Sequence, residues 1–453
     1  MGRITLEQAA QWCGGRIDPK YKDVTFLGAN NDSRKLEAGQ LFVALQGVRD
    51  GHDFIPTALE RGAAAVLCTH CDGDYPAIVV EDTRIALGDI ARQERQRIGM
   101  KVVGITGSVG KSTTKEMVAA VLSTKYRVSK TPVNHNNDIG MPMAILAMPE
   151  DTQVAVLEMG MNHFREIAYL SNIGKPDVAV IVNIGTMHIE HLGSREGILQ
   201  AKLEIREGMG ADGMLVLNGD DDLLWNAHKQ GQIPAVYFGE SNAQCQIFGK
   251  DVKQEGEILS FTVAAGEQVI PVELELEGRH YVSDALAAVA VGLRFGVEGS
   301  LIAEGLKNFR NMEGRQQIAK INEYTIIKDY YNAGPESMAA ALSVLGTKQG
   351  RRIAVLGDML ELGACAQTEH YKVGRIAAQN ADAVFAYGPN SVRVIYGCIT
   401  GGMPENRARA FTDQQKMASV LKQIAKPGDV FLFKGSRGMH MEKVLELFLQ
   451  EDN

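Results

Sequence analysis

A chain of 453 residues is too long for a single hydrophobic core, so two to four domains are expected. Its composition, 45% hydrophobic and 23% charged, is that of a globular protein, and a net charge of −8 excludes a bulk nucleic-acid binder. No run of 18 apolar residues is present to span a membrane. The first residues lack the apolar stretch of a secretion signal, and Gly2 lacks the spacing of a lipid-anchor site, so neither is expected. The six cysteines are scattered, and Cys68 and Cys71 have no second pair to complete a metal site. They read as idle thiols of a cytoplasmic protein.

Residues 1–83 read as a small α/β unit. Apolar spacing predicts helices over Leu6–Trp12 and Ile55–Arg61 and strands at Leu41–Leu45, Ala63–Leu67 and Ile78–Val80. The polar stretches Asp32–Lys35 and Gly47–Asp53 read as solvated loops. An amphipathic, Arg-rich helix over Thr83–Gly99 leads into a second unit, residues 84–312. There a buried strand, Val102–Thr106, runs into Gly107-Ser108-Val109-Gly110-Lys111-Ser112, and helical spacing resumes at Met117, Val118, Val121 and Leu122. Glycine lets such a turn approach a phosphate, and the helix N-terminus offers it free N–H groups. Lys111 suits the terminal phosphates and the Ser112 hydroxyl a Mg²⁺ ion. The full phosphate-loop pattern wants a glycine where Ile105 stands, so only its Gly-Lys-Ser half fits, but the strand before and helix after are the required context.

Further along, Val154–Leu157 ends at Glu158, Val178–Val182 at Asn183 and Met214–Leu217 at Asn218. Continuous apolar runs of this kind indicate a parallel sheet covered on both faces, with polar residues at the strand ends where ligands sit. Between 235 and 276 strands crowd together without helices, an antiparallel appendage, before a helix returns over His280–Phe295. The third unit, residues 313–453, opens at Glu313-Gly314-Arg315. It has strands at Tyr324–Ile327, Ile353–Leu356, Val384–Tyr387 and Val430–Phe433, and helices at Glu336–Leu345 and Met417–Ile424. This is a second doubly wound, Rossmann-like domain without a phosphate loop, so the site is expected where the second and third units face each other.

Glu158 closes a buried strand just before Gly160, which aims its carboxylate at the loop crevice as a further oxygen ligand for Mg²⁺. On residues alone, His188 and His191 read as polar surface and Lys202 as a solvated helix lysine.

The pattern as a whole resembles the Mur ligase family of ATP-dependent, amide-forming synthetases. That likeness covers essentially the whole chain. Thr106–Lys115 resembles the family's phosphate loop, including its missing first glycine. Asn136-Asn137-Asp138-Ile139-Gly140, Asp329-Tyr330-Tyr331-Asn332-Ala333, Gly357-Asp358-Met359-Leu360-Glu361-Leu362-Gly363 and Lys434-Gly435-Ser436-Arg437 resemble further signatures, in order. These point to the branch whose substrates are UDP-N-acetylmuramoyl-tripeptide and D-alanyl-D-alanine. The resemblance implies three α/β domains: a UDP-sugar-binding one, a central ATPase and a C-terminal Rossmann-like one. It implies ATP held by Gly107, Ser108, Gly110, Lys111, Ser112, Thr113, Asn137, His280, Arg315, Asp329, Tyr331 and Asn332. Mg²⁺, as two ions, falls to Ser112, Glu158, His188 and a carbamylated Lys202, with Lys111, Lys202 and His188 in catalytic roles. Ser33, Arg34, Asp50 and His52 fall on loops that hold the UDP end. A monomer working in peptidoglycan precursor synthesis is implied.

The adenine-binding helix departs from the family's pattern. Tyr281 and Asp284 stand where asparagines are usual, leaving Tyr281 to stack and Asp284 to accept from an exocyclic amine. Two other readings stay open from the residues: a sister ligase adding the third amino acid, whose Asp-Asn-Pro motif is not found here, and a P-loop kinase or nucleotide-gated binding protein.

Overall fold

The computed structural model describes residues 4–231 and 233–450; the reading of Gly2 lies outside them. Three α/β units follow one another, each built on its own sheet, as the chain's alternation of apolar runs and helical spacing requires. In the first, Ala29–Asn30, Leu41–Val43, Ala65–Cys68 and Ala77–Val79 form a four-stranded parallel sheet. Two of its strands, Leu41–Val43 and Ala65–Cys68, are shorter than the apolar runs suggested, and Ala29–Asn30 was not expected. A two-stranded antiparallel ribbon, Ile4–Thr5 with Thr25–Phe26, lies beside it.

The second unit carries a nine-stranded sheet. Strand Lys101–Thr106 pairs in parallel with Val154–Glu158 on one side and Val178–Ile181 on the other. From it the chain goes first to the edge strand Val128–Lys130 and back to Val154–Glu158 on one side, then crosses and runs outward on the other through Val178–Ile181, Met214–Asn218 and Val236–Gly239. The reversal falls at the end of Lys101–Thr106, which is where an open α/β sheet leaves a crevice for ligands. The predicted antiparallel appendage is an extension of this same sheet. Ile247–Glu255 joins in parallel, and only Ile258–Ala265 and Gln268–Leu274 add to it antiparallel.

The third unit is a six-stranded sheet, parallel except for its edge. Two of its strands escaped the sequence reading: the antiparallel edge Gln317–Ile321, and Ala408–Phe411. Helices cover both faces of this sheet. The first two units share one apolar cluster, in which Leu87 and Ile90 of helix Thr83–Ile98 lie between Leu41 and Leu67 on one side and Ile145 and Leu157 on the other. All six cysteines are free thiols. No helix among the described residues is long and apolar enough to cross a membrane.

Candidate active site

Strand Lys101–Thr106 delivers the loop Gly107–Gly110 to the N-terminus of helix Lys111–Ser123. Gly110 has a φ of 84°, and a Cβ there would lie 2.6 Å from Asp284 Oδ1, so only glycine fits the turn. The loop is braced by a residue from the neighbouring strand end. Asn183 Oδ1 accepts the N–H groups of Ser108 and Val109, each at 3.0 Å, and Asn183 Nδ2 donates to the Val109 carbonyl at 3.0 Å. Lys111 Nζ donates to the carbonyls of Gly107 (2.8 Å) and Ser108 (3.3 Å). Burial pushes its pKa down.

Glu158, 4% exposed, ends the adjacent strand and faces this helix. Ser112 Oγ donates to its Oε2 at 2.7 Å, and Asn136 Nδ2 donates to its Oε1 at 2.9 Å. Burial alone would raise the Glu158 carboxyl, but Lys111, Lys115, Ser112 and Asn136 together outweigh it and hold the group below the usual range. The result is a buried, ionised oxygen donor beside the phosphate-loop serine. Asn137, its sequence neighbour, is turned elsewhere: its Oδ1 accepts from Gly140 N–H at 2.8 Å, at the start of helix Gly140–Leu146. Thr113 is buried in the first turn of the loop helix.

The third unit reaches into this site. Arg315 Nη2 donates to Ser112 Oγ at 2.8 Å, and its guanidinium lies over the Tyr331 ring, 3.9 Å from the centroid. Asp329 accepts from Lys434 Nζ at 2.6 Å, and the same ammonium donates to the Asn332 carbonyl at 3.2 Å. Ser436 Oγ donates to the Ala333 carbonyl and accepts from Leu360 N–H. Three separate signatures therefore interlock at the strand ends of one sheet. His280 lies beside them, its pKa pushed down to about 4 by burial, with Asp329 opposing and Lys434 adding to the shift. The loop Gly185–Glu190 of the second unit is also held from the third: Glu336 Oε1 accepts from Thr186 N–H (3.0 Å) and Oγ1 (3.1 Å). His188 Nδ1 lies 2.7 Å from Glu361 Oε2.

Lys202 is not the solvated lysine that its helix spacing suggested. It is 2% exposed, its side chain makes no hydrogen bond or ion pair among the described residues, and burial, then Lys111, pushes its pKa well below the ordinary value. In the first unit the candidate residues occupy loops at the C-terminal ends of parallel strands. Ser33 and Arg34 follow Ala29–Asn30, and Asp50 and His52 follow Leu41–Val43. Arg34 is exposed, with Nε and Nη2 each 2.9 Å from the Asp32 carboxylate, while Ser33 is buried. His52 Nδ1 lies 2.6 Å from Asp50 Oδ1, and its Nε2 accepts from Thr69 N–H at 3.0 Å, which fixes the ring's tautomer.

The adenine expectation needs correcting. Tyr281 is 3% exposed and its hydroxyl accepts from Asn311 Nδ2 at 2.6 Å, so it is built into the wall and does not stack. Asp284, 5% exposed, accepts from Thr114 Oγ1 at 2.8 Å and backs Gly110. Sequence reasoning missed the bracing by Asn183 and Asn136 and the grip of Glu336 and Glu361; Asn183 was marked by its strand end and Asn136 and Glu361 by the signatures they stand in, but nothing marked Glu336.

Three family models match the chain. They are described as Mur ligase family, catalytic domain (residues 23–95), Mur ligase middle domain (105–292) and Mur ligase, glutamate ligase domain (314–437). Among curated relatives, the UDP-N-acetylmuramoyl-tripeptide–D-alanyl-D-alanine ligase of Bacillus subtilis is 40% identical, with 98% of each chain covered. That of Escherichia coli is 35% identical over 99% of each. A crystal structure of MurF from Acinetobacter baumannii superposes with a TM-score of 0.91 at 32% identity, covering both chains fully. MurF ligase from Thermotoga maritima in complex with ADP gives 0.81 at 30% identity, covering 93% of this chain and 97% of that one.

Proposed function

The chain belongs to the Mur ligase family, and we propose that it joins D-alanyl-D-alanine to UDP-N-acetylmuramoyl-tripeptide with ATP, a step of peptidoglycan precursor synthesis. It is an ATP-dependent ligase. The observation that carries this reading is the meeting of two units on one hydroxyl: Ser112 lies between Glu158 of its own sheet and Arg315 of the third unit. A kinase needs no second sheet at its phosphate loop, whereas a ligase must hold nucleotide and two further substrates at once.

In the proposed reaction the tripeptide's terminal carboxylate oxygen attacks the γ-phosphorus of ATP and ADP leaves. The amine of D-alanyl-D-alanine then attacks the acyl carbon, inorganic phosphate leaves, and the amine proton passes to solvent. Lys111, Arg315 and the N–H groups of the loop oppose charge on the phosphates, where such fixed donors act on the transition state. Asp329, Tyr331, Asn332 and His280 hold the nucleotide from the third unit, and the loops of Ser33, Arg34, Asp50 and His52 take the UDP end.

Mg²⁺ fits the donors present. Ser112 and the ionised, buried Glu158 are hard oxygen ligands. A second ion would fall to His188 and Lys202. As an ammonium Lys202 cannot ligate a cation, but its site favours the neutral amine, which adds CO₂ with loss of a proton to give an anionic carbamate. When bound, the ions neutralise charge on the transferring phosphoryl group. We place the enzyme in the cytoplasm as a monomer. Phosphate release against a panel of UDP-muramoyl peptides, with and without D-alanyl-D-alanine, tests the whole reading. Release is expected only with the tripeptide and the dipeptide together; release that ignores the dipeptide refutes it.

A further inference from the structure

We propose that Glu361 is a positioning residue that sets the imidazole of His188 across the boundary between the second and third units. The inference rests on the reading of His188 as a metal ligand given above. Glu361 Oε2 lies 2.7 Å from His188 Nδ1, which is buried and has no aligned hydrogen-bond partner. No hydrogen bond engages the other ring nitrogen, Nε2, among the described residues. A carboxylate on Nδ1 draws the ring's proton to that nitrogen and leaves the Nε2 lone pair free, the usual way an outer carboxylate prepares a metal-binding histidine.

The backbone around both residues is arranged for this contact. Glu361 has a φ of 62° and His188 one of 65°, a left-handed conformation that is strained for a non-glycine residue. Glu361 is held there from both sides. Leu360 N–H donates to Ser436 Oγ at 2.9 Å, and a Cβ on Gly363 would lie 3.0 Å from the side chain of Glu190, in the loop that carries His188. On the opposite side Glu336 grips Thr186, two residues before the histidine, and Gly185 leaves room for that carboxylate.

Stability does not account for the pair. The Glu361 side chain is 47% exposed, and ion pairs at such sites add little to the fold. What the pair does provide is a condition: His188 meets its orienting carboxylate only while the third unit is seated on the second. Seating of the ATP-holding domain and preparation of the histidine are thereby one event.

The test uses the full chain labelled with ¹⁵N-histidine, observed at pH 8 without nucleotide or metal, with His188→Ala assigning the signal. The parent is expected to show His188 protonated on Nδ1. Glu361→Ala should move it toward the Nε2–H form that a free imidazole favours, and Glu361→Asp should retain the parent pattern. In turnover, Glu361→Ala should lose about 10–100-fold in kcat, with KM for ATP within about threefold of the parent, and Glu361→Asp should recover part of the loss. An unchanged tautomer signal in Glu361→Ala, or a kcat within twofold of the parent, overturns the assignment of Glu361. Parent-like turnover by His188→Ala overturns the ligand reading of His188 instead, so the two failures are distinguishable.

Discussion

Asp284→Asn should make the protein more stable, and the more so the higher the pH. Asp284 sits against Gly110 and accepts from Thr114 with almost no contact with water. Burial raises its pKa from 3.8 to about 7, with Thr114 and Arg315 pulling weakly the other way. Because the folded value is the higher one, the fold holds a proton that the unfolded chain releases between pH 4 and 7. Stability is therefore fully present below the unfolded value and is lost as pH rises through the folded one. At about 1.4 kcal/mol per pH unit the whole window amounts to about 4 kcal/mol, of which about 3 falls between pH 5 and pH 8. Asparagine keeps the acceptor for Thr114, has nearly the same shape and does not titrate. The stability gap between Asp284→Asn and the parent should thus widen by about 3 kcal/mol from pH 5 to pH 8. Urea unfolding at four pH values, followed by the fluorescence of Trp12 and Trp225, measures it, and titrations common to both proteins cancel in the difference. A gap that stays constant, or narrows as pH rises, refutes the reasoning.

Other outcomes follow from the same site. Lys111→Ala should lower kcat on the order of 10²-fold or more with an unchanged circular dichroism spectrum, since a cation opposite the transferring phosphoryl is removed while the helix behind it stays intact. Lys202→Ala should be nearly inactive and partly restored by acetate, because an anion can stand in for a carbamate but not for an ammonium; full activity without additive would leave the lysine no role. Ser436→Ala strips Leu360 N–H and the Ala333 carbonyl of their partner. It should cost about 1–3 kcal/mol of stability in the third unit and raise KM for ATP, checked by thermal unfolding and steady-state kinetics.

The fully buried parallel strands were legible because they read as unbroken apolar runs, as at Val178–Ile181 and Val430–Lys434; the short, partly exposed Ala29–Asn30 and Val128–Lys130 were not read. Gln317–Ile321 was not, since an edge strand with no fully buried residue leaves no such run. Ala408–Phe411 was hidden by an arginine inside four residues. In the site, Lys111, Ser112 and Glu158 could be read because their roles follow from local context, a glycine turn or a strand end. Thr114 and Asp284 are 170 residues apart, and Ser108 and Asn183 are 75 apart. Nothing local marks either pair. With Asn136 and Asn137 the motif was read, but not which amide would turn inward, since backbone direction decides that.

Leu41 and Leu67 of the first sheet pack into the same apolar cluster as Ile145 and Leu157 beside the second, bridged by Leu87 and Ile90. Sheets that share a core cannot slide past one another without opening it. On the proposed placement of the UDP end, the span from the loops of Ser33 and His52 to the phosphate loop is therefore fixed before any substrate arrives, whereas the third unit, joined through residues 308–314, is built around cores of its own. Such a pairing works as a gauge. On that proposal a muramoyl peptide anchored by its UDP end should bring its terminal carboxylate to the phosphate loop at one chain length, and a peptide one residue shorter should fall short of the γ-phosphate however tightly its nucleotide is gripped.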